Sequence, residues 1–169
     1  MKGQTLIEVL VALGVSIIVI SAIVVSVISA LDNSTFSKNQ NSATNFAQEG
    51  MENMRRLRNT NYAAFSAYQG EYLLNQNATI PTAYPGPSAQ ACSITTKADS
   101  YAPNINSTFK RQLCIEQNSA DCKQQGQFTT KVRVDVFWTD GKCTSQNTYC
   151  HYSELISCFT SPPGGIGAP

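Results

Sequence analysis

The strongest constraint on this chain is an apolar run that opens almost at its first residue and carries a single carboxylate. Between Val9 and Leu31 there is no charged residue, and the interruptions are Gly14 and the serines at 16, 21, 26 and 29. Coiled as a helix rising about 1.5 Å per residue, the run is about 35 Å long, enough to cross a hydrocarbon core of about 30 Å. A secretory signal peptide has a shorter apolar core, about 7–15 residues, and then a small-residue cleavage site. The length therefore points to a segment that stays. Glu8 stands at the front edge of the run. An ionised side chain costs about 2.5–3.5 kcal/mol at the centre of a membrane helix and less near its end, so this acid calls for a cationic partner.

Beyond Leu31 the sequence turns polar but contains no proline before Pro81, so the helix can continue. Ala43, Phe46, Ala47, Gly50, Met51, Met54 and Leu57 recur at three- and four-residue intervals. That spacing gives one apolar stripe that must pack on whatever follows. Glu52 is placed to meet Arg55 and Arg56, and Arg55, Arg56 and Arg58 suit a helix C-terminus near Asn59. Helix-end electrostatics accounts for this arginine cluster better than a ligand site does. Ala22, Ser26 and Ala30 repeat every four positions in the apolar run and would allow close helix approach, although small residues are common in membrane helices.

Residues 59–107 are rich in Asn, Ser, Thr, Ala, Tyr and Pro, and Pro81, Pro85, Pro87 and Pro103 argue for loops there. Tyr62, Tyr68, Tyr72, Tyr84 and Tyr101 are expected to pack this region onto a sheet. Gly70 to Leu74 reads as a first strand, Phe109 to Glu116 as a second, Phe128 to Thr139 as a third and Tyr149 to Phe159 as a fourth, with a turn at Asp140-Gly141. In the third, Val132, Val134, Val136 and Trp138 share one face, and Lys131, Arg133 and Asp135 the other. The reading is α+β: a long N-terminal helix, apolar in its first half and amphipathic over 32–58, packed on a small antiparallel sheet within 59–160. The tail 161–169, with three prolines and three glycines, cannot continue a sheet.

All six cysteines, Cys92, Cys114, Cys122, Cys143, Cys150 and Cys158, follow the apolar run. An even number in a small domain beyond a membrane segment reads as disulfides in an oxidising, extracytoplasmic compartment, and six cysteines allow fifteen pairings between which sequence does not choose. Cys143 and Cys150 flank one hairpin, but Cys114, Cys122 and Cys158 are equally open to them. No Cys-x-x-Cys occurs, which argues against zinc. Charged residues are 14% of the chain and the formal net charge is +1, so no basic surface points to nucleic acid or anionic lipid. The Asn-x-Ser/Thr patterns at Asn33, Asn77 and Asn106 arise easily by chance in so Asn-rich a chain, and no glycan is expected.

The first residues carry a more specific signal. Lys2-Gly3-Gln4-Thr5-Leu6-Ile7-Glu8, followed by the apolar helix, resembles the N-terminus of type IV prepilins and type II secretion pseudopilins. Gln48 to Arg58 also resembles the end of the long first helix in some minor pilins. The resemblance implies cleavage after Gly3 by a prepilin peptidase and methylation of Gln4, a position where Phe or Met is usual. It implies a leader of residues 1–3, a membrane and filament-core helix over 4–31, and assembly through Glu8 and Thr5. The implied partners are other pilin subunits, the peptidase, an inner-membrane platform protein and an assembly ATPase. The implied location is the inner membrane as a single pass before assembly, then an extracellular pilus or a periplasmic pseudopilus. The physics suits it: Glu8 of one subunit can meet the cationic α-amine of Gln4 on its neighbour, and unit charges about 4 Å apart attract by about 4 kcal/mol at an effective dielectric near 20. Competing readings are a secretion pseudopilin and a membrane-anchored adhesive domain that never assembles.

No catalytic constellation is apparent. The chain has one histidine, His151, next to Cys150, and adjacent residues in a strand point to opposite faces, so the two are not expected to form a dyad. Glu116, Asp121, Asp135 and Asp140 are scattered, and no Gly-rich phosphate loop follows a strand. An enzyme is not expected, and neither is a cofactor.

Overall fold

A computed structural model of the protein describes residues 4–83, 92, 103–122, 129–145 and 147–161. The chain divides into two compact units, Met1–Lys38 and Asn39–Pro169. A single helix, α1 (Gln4–Thr60), runs through the division.

The first unit holds the apolar part of α1. Its large side chains from Leu6 to Leu31 are 49–71% exposed on every side of the helix. Val and Ile dominate this stretch and are mediocre helix formers in water. Where no water is available, however, a helix is one of the few ways to satisfy every backbone group. Ser16 and Ser21 donate their hydroxyls back to the carbonyls of Ala12 and Ile17 at 2.8 Å, so neither leaves a polar group to solvate. This is the one helix among the described residues long and apolar enough to cross a membrane, with a mean hydropathy of 2.9 in its best window.

The second unit is an α+β domain. Its sheet has five antiparallel strands in the order β2-β1-β3-β4-β5: β1 (Gly70–Leu73), β2 (Thr82–Ala83), β3 (Phe109–Gln117), β4 (Thr129–Trp138) and β5 (His151–Thr160). The expected strands lie within about two residues of these bounds, although Phe128 falls outside the described residues. Ala43, Ala47, Met51 and Met54 of α1 are buried with Leu113, Ile115, Val132, Val134, Val136 and Trp138. Phe46 meets Phe109 edge-on, ring centroids 5.2 Å apart, so the amphipathic stripe packs as its spacing predicts. Gly50 allows the close approach. A Cβ there would lie 3.0 Å from Val134 Cγ1 and 3.1 Å from Arg111 Cδ.

Two elements depart from the expectation of loops over 59–107. Asn61 ends α1 and caps a short helix, α2 (Tyr62–Ala67), its Oδ1 accepting the Ala64 N–H at 3.0 Å. The Phe65 side chain anchors α2 against Phe159 at 5.7 Å between centroids. β1 and β2 pair Tyr72 with Ala83 and Leu73 with Thr82, and Pro81 stands just ahead of β2, where it interrupts no ladder bond. Of the tyrosines, Tyr68 and Tyr72 stack edge-on at 5.0 Å. Tyr84, Tyr101, Pro85, Pro87 and all but Ser161 of the tail lie outside the described residues.

The polar face of β4 also departs from expectation. Alternation marks Lys131, Arg133 and Asp135 as a face opposite the core, and an antiparallel sheet commonly leaves such a face to solvent. In the structure Asp135 is fully buried, and so are Glu71, Lys110, Gln112 and Cys114 on the same face. The Cys92–Cys114 disulfide brings Cys92 to this face from outside the sheet. Lys110 Nζ sits 3.7 Å from the centroid of the Tyr149 ring.

Candidate functional site

The residues singled out from sequence fall in two separate places. Near the N-terminus, Gly3 lies outside the described residues, as do the side chains of Gln4 and Thr5. Glu8 is exposed on α1, flanked by exposed Ile7 and Val9. It is the only acid of the apolar run, on a helix that otherwise offers hydrocarbon to its surroundings.

The cysteines form three disulfides: Cys92 with Cys114, Cys122 with Cys158 and Cys143 with Cys150, at Cα separations of 5.5, 5.6 and 5.4 Å. All three lie in the usual range for such bonds. The second ties the 3₁₀ turn at Ala120–Cys122 to the edge strand β5, and the third closes the β4–β5 connection. Beside the second, Lys131 reaches both Asp121 and Glu116. The hydrogen bond from Lys131 holds the Asp121 carboxyl below its ordinary range, and the same bond pushes Lys131 up.

Polar assemblies in three places escaped the sequence reading. The first is Arg111, which alternation places on the helix-facing side of β3 and which is fully buried. Its Nε donates to Leu74 O at 3.0 Å, Nη1 to Phe46 O at 2.9 Å, and Nη2 to Asn75 O at 3.1 Å and Glu49 Oε1 at 3.3 Å. Burial lowers its pKa, and the Glu49 carboxylate works in the opposite direction. Its main chain is held too. Just past the end of β1, the Asn104 side chain accepts the Arg111 N–H at 2.6 Å and donates to Arg111 O at 2.8 Å, extending the ladder by one rung. On the opposite face, Arg133 Nε donates to Asp135 Oδ2 at 2.9 Å. Burial pushes the Asp135 carboxyl up to about 6 despite that arginine, with Glu154 and Glu71 adding to the rise. Among the described residues, Asp135 Oδ1, Arg133 Nη2 and Gln112 Nε2 are buried without a hydrogen-bond partner.

The third assembly is at the β4–β5 turn. Asp140 O accepts the Cys143 N–H at 3.2 Å, and Asp140 Oδ1 accepts the Lys142 N–H at 2.8 Å, which fixes a tight turn. His151 opens β5 opposite Trp138, and the two rings stack 5.5 Å apart. His151 Nε2 lies 2.9 Å from Asp140 Oδ2. Burial pushes the Asp140 carboxyl up, but the Lys142 N–H and His151 outweigh it and leave it below the ordinary range. The ligating atoms of Asp140, Cys143, Cys150 and His151 all lie within 4.8 Å of one another. The alternation argument that separated Cys150 from His151 fails here, because Cys150 stands just before β5 and is not bound by its pleat. With Cys150 in a disulfide, the pair still provides no free thiolate as nucleophile.

No family model, curated protein or solved structure matches this chain.

Proposed function

We propose that this chain is a structural subunit of a type IV pilus-like filament, most similar to a minor pilin. In this reading it is cleaved after Gly3, methylated on Gln4 and held in the inner membrane by α1 until its apolar helix enters a filament core. The observation that carries the reading is one helix bearing two kinds of surface. From Leu6 to Leu31 it is apolar and exposed all round, with Glu8 as its only acid, and from Ala43 to Met54 it presents a buried stripe to an antiparallel sheet. Exposed apolar surface on that scale demands lipid or other helices. A carboxylate at the front of such a surface demands a cation. Neighbouring copies of the same helix supply both, the cation being the α-amine of Gln4.

The test is the intact mass of the protein recovered from the membrane and from sheared surface filaments. A chain beginning at Gln4 and carrying one extra methyl group is expected. A chain retaining Met1 to Gly3 and absent from the filament fraction would replace this reading with a permanently anchored domain.

A further inference from the structure

We propose that the β4–β5 turn is a redox-gated zinc site, in which Asp140, Cys143, Cys150 and His151 bind Zn²⁺ once the Cys143–Cys150 disulfide is reduced. The inference does not depend on the filament reading. It rests on one juxtaposition: two sulfurs, an imidazole nitrogen and a carboxylate oxygen, all half-buried, within 4.8 Å of one another.

The ligand set suits the metal. Zn²⁺ takes four ligands in a tetrahedron, with thiolates at about 2.3 Å and nitrogen or oxygen at about 2.0–2.2 Å, so its ligand atoms stand about 3.3–3.8 Å from each other. Asp140 Oδ1 is already 3.7 Å from Cys143 Sγ, a tetrahedral edge, whereas the 2.9 Å between Asp140 Oδ2 and His151 Nε2 is a hydrogen-bonding distance that must widen by about 0.4 Å or more as the metal enters. Breaking the disulfide lets the two sulfurs separate to non-bonded contact, which is close to a tetrahedral edge. The surroundings hold the ligands for this use. The turn fixes Asp140 and Cys143 through the main chain, and the Trp138 ring backs His151. The Cys150 N–H points to Cys143 Sγ at 3.4 Å, the sort of outer hydrogen bond that steadies a zinc-bound thiolate. Sequence hid the site because the familiar Cys-x-x-Cys spacing is missing, and two of the four ligands are not cysteines.

This disulfide is also the one best placed to open. It spans 7 residues in sequence, against 22 and 36 for the other two, so its loss returns the least freedom to the unfolded chain. Cys143 and Cys150 are both half-buried, whereas Cys114 and Cys122 are buried, although Cys158, the partner of Cys122, is exposed. A thiol or phosphine reductant delivers two electrons, and the S–S bond gives two thiols as protons are taken up from water. Zn²⁺ then displaces both thiol protons and forms two Zn–S bonds, the proton between His151 Nε2 and Asp140 Oδ2 moves to Nδ1 or to water, and the freed imidazole nitrogen and carboxylate complete the shell.

The experiment uses the full chain in detergent, reduced with a phosphine and titrated with Co²⁺ as a coloured substitute for Zn²⁺. One equivalent is expected to give intense tetrahedral bands with a sulfur-to-cobalt charge-transfer band, both abolished by Zn²⁺ and both absent from the oxidised protein. Zn²⁺ should also protect Cys143 and Cys150, and not the other four cysteines, from alkylation mapped by mass spectrometry. Outer-shell contacts alone are worth about 10–100-fold in metal affinity, so losing a direct ligand in His151→Gln or Asp140→Asn should weaken Zn²⁺ at least about tenfold. Pale octahedral cobalt, or the same affinity in His151→Gln as in the unaltered chain, overturns the proposal. Protection spread over other cysteines does so as well, including where reduction has loosened the fold.

Discussion

Arg111 of β3 donates its Nη1 hydrogen to the main-chain carbonyl of Phe46 in α1, 2.9 Å away and 65 positions earlier in sequence. Three further bonds from the same guanidinium reach Leu74 O, Asn75 O and Glu49. One side chain thus fastens the helix and the β1–β2 connection to the sheet. A buried acceptor left without its donor costs about 1–3 kcal/mol, and Arg111→Ala orphans more than one while opening a cavity. The expected loss is about 3–5 kcal/mol, measured by urea unfolding with Trp138, the chain's single tryptophan and a buried one, as the fluorescent probe. A loss under about 1 kcal/mol would mean that the guanidinium only fills space.

Gly50 sets how closely the helix and sheet approach. A wider side chain must push aside Val134 and Arg111, both fully buried and unable to retreat. Gly50→Val is expected to cost about 2–3 kcal/mol from overpacking, even though glycine is itself a poor helix former. The same change at Gly14, where an added Cβ meets nothing within 4 Å, should leave unfolding of the sheet domain unchanged.

Asp135 should make stability depend on pH in an unusual direction. Its carboxyl is raised by burial to about 6 in the folded protein, with Arg133 opposing and Glu154 and Glu71 adding, against an ordinary value of 3.8. Between about pH 4 and 6 the folded state therefore holds a proton that the unfolded state has lost. The stabilising contribution is complete below pH 4 and disappears as the pH rises through 6, amounting to about 2–3 kcal/mol. Asp135→Asn removes the titration. Its stability relative to the unaltered chain is expected to improve from pH 4 to pH 7, and a difference that stays flat across that range would contradict a buried, protonated Asp135.

The disulfides should differ in worth according to the loops they close. In the chain-entropy account Cys122–Cys158, spanning 36 residues, contributes about 4 kcal/mol and Cys143–Cys150, spanning 7, about 2.5 kcal/mol. Paired serine replacements, compared by denaturant midpoint, should preserve that order. The reverse order would show that the turn disulfide holds more than its own loop.

What sequence disclosed and what it hid follow from the range of the interactions involved. The apolar run, the stripe from Ala43 to Leu57 and the alternation of Val132, Val134 and Val136 are local periodicities, and each could be read within one element. The short helix α2 depended on a cap at Asn61 and an anchor at Phe65 inside a stretch whose composition suggested loop. The burial of Asp135 and Lys110 depended on this second face being covered over β3 and β4, although β5 leaves Tyr152 and Ile156 exposed on it, and alternation within one strand reports neither. Arg111 looked like any strand arginine until α1 and the β1–β2 connection supplied its acceptors. The Asp140–His151 contact arises because the β4–β5 register sets His151 opposite Trp138, two residues before Asp140, and a pairing register is a property of two strands together.

Glu8 should control assembly if α1 serves as a filament element. If the carboxylate serves to pair with the Gln4 amine of a neighbouring copy, then Glu8→Ala should still be inserted and cleaved after Gly3, because the apolar run from Val9 to Leu31 is untouched. Incorporation into filaments should fall at least about tenfold, since losing about 1.4 kcal/mol of contact is enough for that factor and unit charges about 4 Å apart attract by about 4 kcal/mol at an effective dielectric near 20. Glu8→Asp, which keeps the charge and shortens the reach, should fall between the two. The measurement is the ratio of subunit in sheared filaments to subunit in membranes, taken with the intact mass of both pools. Equal ratios for Glu8→Ala and the unaltered chain, with cleavage complete in each, would remove charge pairing from the assembly step and leave apolar packing along α1 to account for it alone.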